Sequence, residues 1–471
     1  MNRLLISAAH KSSGKTTISI GLCAALRARG LTVQPFKKGP DYIDPLWLSA
    51  AAGRDCHNLD FWLMGRGEIL DTFAARARGA DLSLIEGNKG LYDGLDLDGS
   101  NSNAALAKLL GAPVVLVIDA RGMTRGIAPL ILGYQAFDRD IRIAGVILNQ
   151  LGGSRHESKL RAVIEHYTDV PVLGAVHHDD RIGIVERHLG LMPSNEAPRA
   201  RACIDAIAAA VRDHVDLDRL LTVATRTAPL ERGDRDVRPE PAAIGPNASV
   251  VRIGIARDAA FGFYYPGDLE AMRAAGAELV AIDTLHDARL PAIDGLFIGG
   301  GFPEMHMQQL EANVSLRHVI RDEIERGLPT YAECGGLMYL SRCIEWQGQR
   351  CEMVGVIPGD TVMHAKPQGR GYVTLRATTS NPWAHPEPGT EVRAHEFHYS
   401  SLENLAPGLA YAYEVTRGHG IDGAHDGIVY RNLLAIYTHM RQLSGNRWAE
   451  RFVAFVRKHA RATRQPRHAV Q

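Results

Sequence analysis

The feature that most constrains the fold lies near the N-terminus, where an apolar run breaks into a small-residue loop and continues as a helical pattern. Residues 4–6 predict a strand, the loop ends in Gly14-Lys15-Thr16, and periodic apolar residues follow from Ile18. This order is that of a phosphate-binding loop, in which backbone N–H groups and a lysine hold phosphate and a hydroxyl binds Mg²⁺. Ala9 departs from the pattern, which usually begins with glycine. We expect a nucleotide site, rather than a chance match in an ordinary strand-to-helix turn, formed by Ser13, Gly14, Lys15, Thr16 and Thr17.

Continuous apolar runs that alternate with helical patterns indicate parallel sheets buried on both faces. Such runs occupy residues 80–85, 114–119, 143–149 and 170–176, and a closing helix is predicted over residues 200–221. The stretch 225–250 is charged, proline-rich and without apolar period, which predicts a linker. A second α/β pattern begins at residue 251. We therefore expect α/β architecture with two doubly wound domains, at residues 1–224 and 251–460, and a basic tail at 461–471.

Composition excludes several classes of protein. The 471 residues include 53 basic and 53 acidic side chains, a balance that argues against non-specific nucleic-acid binding. The six cysteines form no C-x-x-C pair, as is usual for reduced proteins. No apolar run reaches the ~18 residues of a membrane helix, and the first strand leaves no room for a signal peptide. A cytoplasmic protein without nucleic-acid or membrane partners is the expectation.

Charged residues gather in the loops that should meet near the phosphate loop. Five of the nine lysines lie in the first ninety positions, which suggests a polyanionic substrate beside the nucleotide. Loop 37–45 follows a strand and carries two lysines and two acids, so we interpret it as part of a site rather than as a solvated turn. Glu86 directly follows the predicted strand 80–85, at a position where an acid can bind Mg²⁺ together with Thr16.

A second reactive centre is predicted around Cys334, between an apolar strand and a helix. Small neighbours permit a sharp turn that exposes the sulfur, and the helix N-terminus is expected to lower the pKa of the thiol. The backbone N–H groups of Gly335 and of Gly300 or Gly301 could stabilise an oxyanion. His439 ends a late apolar strand and is the preferred base, with His395, Glu396 and His398 as competitors.

With both centres in one chain, the sequence resembles the cobyrinate a,c-diamide synthase family, in which a dethiobiotin-synthetase-like P-loop domain precedes a class I glutamine amidotransferase domain. The matching segments cover nearly the whole chain: 13–17, 34–45, Glu86-Gly87, 90–94, 300–304, Glu333-Cys334-Gly335-Gly336, 395–398 and 437–439. Segments 34–45 and 90–94 do most to distinguish this family from other P-loop proteins.

The resemblance implies an ATP-dependent, glutamine-hydrolysing amidation. In this family, Cys334 with His439 would release ammonia from glutamine, while ATP·Mg²⁺ would phosphorylate an acetate side chain of a tetrapyrrole, most simply cobyrinate. Channelled ammonia would then displace the phosphate. The resemblance also implies substrate or intermediate contacts at Asp41, Asp44 and Asp93, and a nucleotide-base contact at Asn149. Lys37, Tyr42 and Lys89 are further candidate substrate contacts in the same loops. A homodimer is a candidate assembly.

Departures from the family pattern leave alternatives open. Asn88 and Lys89 replace the usual Val-Met, so hydrogenobyrinate, sirohydrochlorin or sirohaem are alternative substrates. Arg441 lies two residues after His439, where many glutamine-hydrolysing triads carry an acid, and Glu396 is the candidate orienting carboxylate. A P-loop switch ATPase of the partitioning type is the alternative from a different class. It is disfavoured because His10 replaces that class's signature lysine and because such proteins lack a cysteine elbow.

Overall fold

The computed structural model describes residues 1–184, 186–187, 190–195, 200–225, 227, 230, 249–383 and 387–464. The chain divides into two compact units, Met1–Asp236 and Val237–Gln471, which are described separately. Most of the predicted linker 225–250 and residues 465–471 of the predicted tail lie outside the described residues. The domain boundaries at 224, 251 and 460 remain predictions.

The first unit contains a parallel α/β sheet, as the alternating apolar runs predict. Within the described residues its strands lie in the order β3-β2-β4-β1-β5-β6-β7, and all neighbours pair in parallel. The strands are β1 (Arg3–Ala8), β2 (Val33–Lys38), β3 (His57–Leu59), β4 (Leu82–Glu86), β5 (Val114–Asp119), β6 (Ile143–Leu151) and β7 (Val172–His177), followed by a small hairpin of β8 (Glu186–Arg187) and β9 (Gly190–Leu191).

Helices cover both faces of this sheet and connect its parallel strands. They are α1 (Lys15–Ala28), α2 (Ile43–Ala52), α3 (Arg66–Arg76), α4 (Asn103–Leu110), α5 (Ile127–Phe137), α6 (Ser154–Tyr167), α7 (Ala200–His214) and α8 (Leu217–Thr225). The single closing helix predicted over 200–221 is thus two helices. The break occurs because Val215 forms a β-bridge with Gly174 and Asp216 N donates to Leu173 O.

The strand order fixes where the first site lies. Strand β1 lies between β4 and β5, and β2 is the next strand beyond β4. Since the carboxyl ends of parallel strands share one edge of the sheet, the loops after β1, β2 and β4 meet there. These are the phosphate loop, the loop with the two lysines and the loop after Glu86.

The second unit is built on a mixed sheet with the order β12-β10-β13-β15-β24-β23-β22-β19-β20 among the described residues. A second sheet has the order β17-β16-β18-β21, and β11 pairs with β14. The strands are β10 (Val251–Ala256), β11 (Phe261–Phe263), β12 (Ala277–Ile282), β13 (Gly295–Ile298), β14 (Gly300–Gly301), β15 (Thr330–Glu333), β16 (Cys343–Trp346), β17 (Gln349–Glu352), β18 (Asp360–Met363), β19 (Gly369–Ala377), β20 (Glu391–His398), β21 (Ser400–Glu403), β22 (Ala410–Arg417), β23 (His425–Tyr430) and β24 (Leu433–Ile436).

Strands β13, β15 and β24 are parallel neighbours at the centre of this sheet. Their register aligns Ile298 with Ala332 and Ala332 with Ala435, so the segments that follow all three strands leave the same edge. The helices of this unit are α9 (Pro266–Ala274), α10 (Met307–Ala312), α11 (Val314–Glu325), α12 (Gly335–Leu340) and α13 (Trp448–Arg464). Trp448 packs on Tyr331 with ring centroids 4.7 Å apart, which anchors β15 in the core.

Candidate active sites

The phosphate loop of the first unit has the backbone that its glycine predicts. Gly14 precedes α1 with φ 87° and ψ 20°, a left-handed conformation that glycine adopts without strain. A Cβ at this position would lie 2.1 Å from Asn149 Nδ2, which donates to Ser13 O over 3.0 Å. Asn149 therefore supports the loop directly, whereas its predicted contact with a nucleotide base stays a prediction.

Lys15 provides a buried positive charge at the start of α1. The residue is 7% exposed, and its Nζ has no hydrogen-bond or ion-pair acceptor among the described residues. Burial, with a further contribution from the Lys37 charge, lowers the pKa of Lys15 to about 8. A buried ammonium without an acceptor at a helix N-terminus suits an anionic ligand such as a nucleotide phosphate.

Lys37 joins the three loops at this edge of the sheet. Its Nζ lies 2.8 Å from Glu86 Oε1, forms a short ion pair with Asp44, and lies 3.9 Å from Asp41 Oδ2. Thr16 Oγ1 donates to two of these three carboxylates, at 2.7 Å to Glu86 Oε1 and 3.3 Å to Asp44 Oδ2. The sequence predicted each residue near the site, and the structure brings all five together.

The charges of this cluster are strongly coupled. Burial raises the pKa of Glu86, although Lys37 opposes the shift. Burial also opposes ionisation of Asp44, but the Lys37 charge outweighs it and lowers the pKa of Asp44. Burial and the Asp44 charge raise the pKa of Asp41 to about 7. The cluster is thus built around one positive charge.

The same cluster fits a divalent cation. Glu86 is fully buried, and its Oε2 has no hydrogen-bond partner among the described residues. An unpartnered buried carboxylate oxygen is costly unless a ligand satisfies it. The Thr16 hydroxyl and the Glu86 and Asp44 carboxylates supply the oxygen donors that Mg²⁺ prefers.

The loop after Glu86 carries the remaining predicted substrate residues. Asp93 Oδ2 accepts from Gly90 N over 2.8 Å, while Lys89 is exposed with φ 37°. Lys38 is 4% exposed and donates to Asn88 Oδ1 over 3.1 Å; burial lowers its pKa to about 8. Tyr42 lies where the preceding loop enters α2.

Sequence reasoning missed Asn103, which holds the loop after Glu86 in place. Its Nδ2 donates to Gly90 O over 2.8 Å, and its Oδ1 accepts from Asn88 N over 3.1 Å. Nothing in the local sequence separates this asparagine from an ordinary residue at the start of a helix.

In the second unit, Cys334 occupies the predicted sharp turn between β15 and α12. Its φ of 48° and ψ of −104° are strained for a residue with a side chain, and its N–H donates to Ile436 O over 2.7 Å. This is the backbone of a nucleophile elbow.

The three glycines proposed for an oxyanion hole lie around this turn. A Cβ on Gly335 would lie 3.0 Å from both Gly301 N and Gly301 O, so these two backbones touch. A Cβ on Gly300 would lie 2.7 Å from His439 Cε1, so the imidazole packs directly on Gly300. Side chains are excluded at these positions because backbone and imidazole already fill the space.

His439 is fixed by the segment after β24. Its backbone pairs with that of His395, and buried Asp426 accepts from Tyr437 N over 3.0 Å and Thr438 N over 3.1 Å. Burial, with the nearby His398, lowers the pKa of His439 to about 3. A neutral imidazole held in this way can accept a proton from a thiol.

The expected lowering of the Cys334 pKa is wrong. Burial raises the pKa of the thiol, and the charge of Glu304 raises it further, whereas the hydrogen bond from Gly335 N only partly opposes these effects. Helix α12 has six residues, too few for its dipole to outweigh desolvation. The thiol of Cys334 is therefore protonated at neutral pH, and it would need a base in order to act as a nucleophile.

Sequence reasoning also missed Glu333. Its Oε2 lies 3.5 Å from His439 Nδ1, with both side chains at most 4% exposed. The candidate Glu396 instead accepts from His419 N and Gly420 N and lies 3.7 Å from His398 Nε2. The position of Glu333 before the cysteine was the available signal, because the last residue of a strand beside β24 lies close to the segment after β24.

Profiles of two known domain families match this chain. The profile of CobQ/CobB/MinD/ParA nucleotide binding domains matches residues 5–191, and that of CobB/CobQ-like glutamine amidotransferase domains matches residues 252–447. No helix among the described residues has the length and apolar character needed to cross a bilayer.

Full-length relatives share one name. A cobyrinate a,c-diamide synthase of Magnetococcus marinus is 49% identical over 97% of this chain and 97% of its own length. Those of Methanosarcina acetivorans and Archaeoglobus fulgidus are 41% and 42% identical, covering 99% and 96% of this chain and 97% and 96% of their own lengths. The expected family is confirmed: this chain belongs to the cobyrinate a,c-diamide synthase family.

Proposed function

We propose that this protein is an ATP-dependent amidoligase that uses glutamine nitrogen to convert acetate carboxylates of cobyrinate into amides, giving cobyrinate a,c-diamide. The observation that carries the proposal is the presence, in one chain of this family, of a phosphate-loop cluster around Lys37 and of a strained turn at Cys334 beside the glycines of β14, one of which, Gly300, contacts the His439 imidazole. The first suits activation of a carboxylate, and the second suits release of ammonia. A partitioning ATPase has no use for the second site.

In the first unit, the N–H groups from Ser13 to Thr17 and the Lys15 ammonium would hold the ATP phosphates. Thr16, Glu86 and Asp44 would bind Mg²⁺, which supplies charge neutralisation for the transferred phosphoryl group. Asp41, Tyr42, Lys89 and Asp93 would contact the substrate or intermediate, and Lys37 would orient the carboxylates around it. The exposed cation of Lys89 suits a macrocycle that bears many carboxylates.

An acyl phosphate accounts for the need for ATP. A carboxylate is a poor electrophile for ammonia at neutral pH, whereas its mixed anhydride with phosphate has a good leaving group. The substrate carboxylate would attack the γ-phosphorus and release ADP, and ammonia would then displace phosphate from the carbonyl carbon. The products are an amide, ADP and phosphate.

In the second unit, Cys334 Sγ would attack the side-chain amide carbon of glutamine while His439 accepts the thiol proton. The N–H groups of Gly335 and Gly301 would stabilise the oxyanion, with Gly300 making room for the imidazole. His439 would return the proton to the leaving ammonia. Water would then hydrolyse the thioester to glutamate.

The substrate assignment is tested by incubating the protein with ATP, Mg²⁺ and glutamine and with cobyrinate, hydrogenobyrinate or sirohydrochlorin in parallel. Mass measurement should find carboxylate-to-amide conversion with cobyrinate and two conversions per ring. Preferential amidation of another ring would overturn the substrate but not the reaction. A cytoplasmic location and a homodimer are further parts of the proposal, tested by fractionation and by light scattering.

A further inference from the structure

We propose that Glu333 is the positioning residue of the glutaminase centre, accepting the Nδ1–H of His439 and stabilising the imidazolium that forms when Cys334 loses its proton. This inference deepens the proposed glutamine hydrolysis and rests on it. Many glutamine-hydrolysing triads carry the orienting acid two residues after the histidine, where this chain has Arg441. Glu333 supplies that acid from a different position.

The carboxyl group of Glu333 is held so that one oxygen faces the imidazole. Oε1 accepts from Tyr331 OH over 2.6 Å and from Met440 N over 3.0 Å. Oε2 lies 3.5 Å from His439 Nδ1. Catalytic hydrogen bonds are often long before substrate binds, and a small rotation of the ring would close this separation.

The other acids near His439 have different partners. Asp426 accepts from the backbone of Tyr437 and Thr438, and Asp268 Oδ1 accepts from Gln442 N over 2.7 Å. The Arg441 guanidinium stacks on Tyr265, 4.6 Å from the ring centroid. Of these three acids, Glu333 is the one with a carboxylate oxygen 3.5 Å from the imidazole, at His439 Nδ1.

This placement has a chemical consequence at each ring nitrogen. A carboxylate at Nδ1 favours the tautomer in which Nδ1 carries hydrogen and Nε2 is free to act as base. During attack the S–H bond breaks, the proton moves to Nε2, and the sulfur electron pair forms the S–C bond. The carboxylate interacts more strongly with the imidazolium than with neutral imidazole, so it stabilises the attack more than the resting state.

The position of Glu333 also explains how a buried carboxylate is tolerated. Burial raises its pKa to about 8, so ionisation is unfavourable while the ring is neutral. A positive charge on His439 offsets that desolvation. Once Glu333 is ionised, the proton that leaves Cys334 therefore gives His439 a positive charge that the carboxylate stabilises.

The test compares Glu333→Gln with Asp268→Asn in the full-length protein. Both variants replace a buried carboxylate that accepts a backbone N–H just after His439, but Glu333 alone of the two contacts the imidazole. In Glu333→Gln the amide N–H₂ would face Nδ1 and favour the wrong tautomer. We expect kcat for glutamine hydrolysis to fall about 10²-fold with KM within about twofold, and Asp268→Asn to stay within about threefold of wild type.

Two further measurements complete the test. Ammonia-driven amidation should be unchanged in both variants, and alkylation of Cys334 by iodoacetamide should slow only in Glu333→Gln. Wild-type kcat in Glu333→Gln, or an equal fall in Asp268→Asn, would overturn the positioning role. Absence of glutamine hydrolysis in the wild-type protein would instead overturn the proposed function.

A folding failure would not end the test. If Glu333→Gln loses ammonia-driven amidation, Glu333→Asp replaces it, because aspartate keeps the charge but withdraws it by one methylene. A smaller fall in kcat at unchanged KM is then expected, and wild-type kcat would overturn the proposal.

Discussion

Lys37 is the residue on which the charge balance of the first site depends. It is 3% exposed and compensates the carboxylates of Glu86 and Asp44, which would otherwise repel each other in a buried position. Removing one partner of a buried ion pair is costly because the remaining charge keeps its desolvation penalty.

Replacing Lys37 by methionine should therefore lower the free energy of unfolding by about 3–5 kcal/mol. The matched control is Lys108→Met, since Lys108 is 42% exposed and pairs with Asp138 at 2.7 Å on the surface. Such a pair contributes at most about 1 kcal/mol. Thermal unfolding of both variants checks the prediction, and equal shifts would contradict it.

A second prediction at this scale concerns pH. Ionised Glu333 favours proton transfer from Cys334, and the pKa of Glu333 is raised to about 8, so kcat/KM for glutamine should rise as pH increases through about 8. The titratable groups that interact with Glu333 are Tyr331, Tyr264, Cys334, His439 and Asp268.

Only one of these neighbours titrates in the same range. Burial raises the pKa of Asp268 to about 8, whereas that of His439 is lowered to about 3 and those of the two tyrosines and the thiol are raised above their ordinary values. The pH–rate profile should keep its rise in Asp268→Asn and lose it in Glu333→Gln. If Asp268→Asn loses the rise, the rise reports ionisation of Asp268, and its assignment to Glu333 is wrong.

At the scale of elements, the second site depends on how closely β14 approaches its neighbours. A Cβ on Gly301 would lie 1.9 Å from Ala260 O, a backbone atom that cannot move aside without displacing β11. The same glycine lies against Gly335. Strand β14 is thus held by contacts that only glycine permits.

Gly301→Ala should lower kcat for glutamine hydrolysis by about 10²–10³-fold, as loss of one oxyanion donor does. Gly267→Ala is the control, because a Cβ at position 267 would meet nothing within 4 Å. Ammonia-driven amidation should persist in both variants. Steady-state glutaminase assays check the prediction, and near-normal kcat in Gly301→Ala would contradict it.

How much the sequence could predict depends on how local each feature is. The strand, Gly14 and Lys15 of the phosphate loop are encoded within a few residues, as is the turn at Cys334. The ion pairs of Lys37 depend on three loops that meet only in the folded sheet. The Cys334 pKa was mispredicted because burial against β24 and the charge of Glu304 are not visible in the local pattern. Glu333 was missed because its partner His439 lies over a hundred residues away.

At the scale of the whole molecule, each unit carries one of the two chemistries. The phosphate loop and its acids belong to Met1–Asp236, and the cysteine turn belongs to Val237–Gln471. Because the two sites lie in different units, a single substitution can remove one activity and leave the other.

Cys334→Ser should abolish glutamine-driven amidation and leave ammonia-driven amidation near wild type. Lys15→Ala should abolish both, because the carboxylate is then not activated. Product formation with glutamine or an ammonium salt as nitrogen source checks this asymmetry. Equal loss of both activities in Cys334→Ser would count against separate sites.

The backbone conformation at Cys334 has a further consequence for which substitutions evolution would favour at this position. A left-handed φ of 48° costs a residue with a side chain about 1–3 kcal/mol, a penalty that glycine escapes. The cysteine at this position therefore lowers the stability of the fold. In a lineage that used free ammonia as its nitrogen source, substitution of Cys334 by glycine would remove this strain and would leave a more stable protein without glutaminase activity.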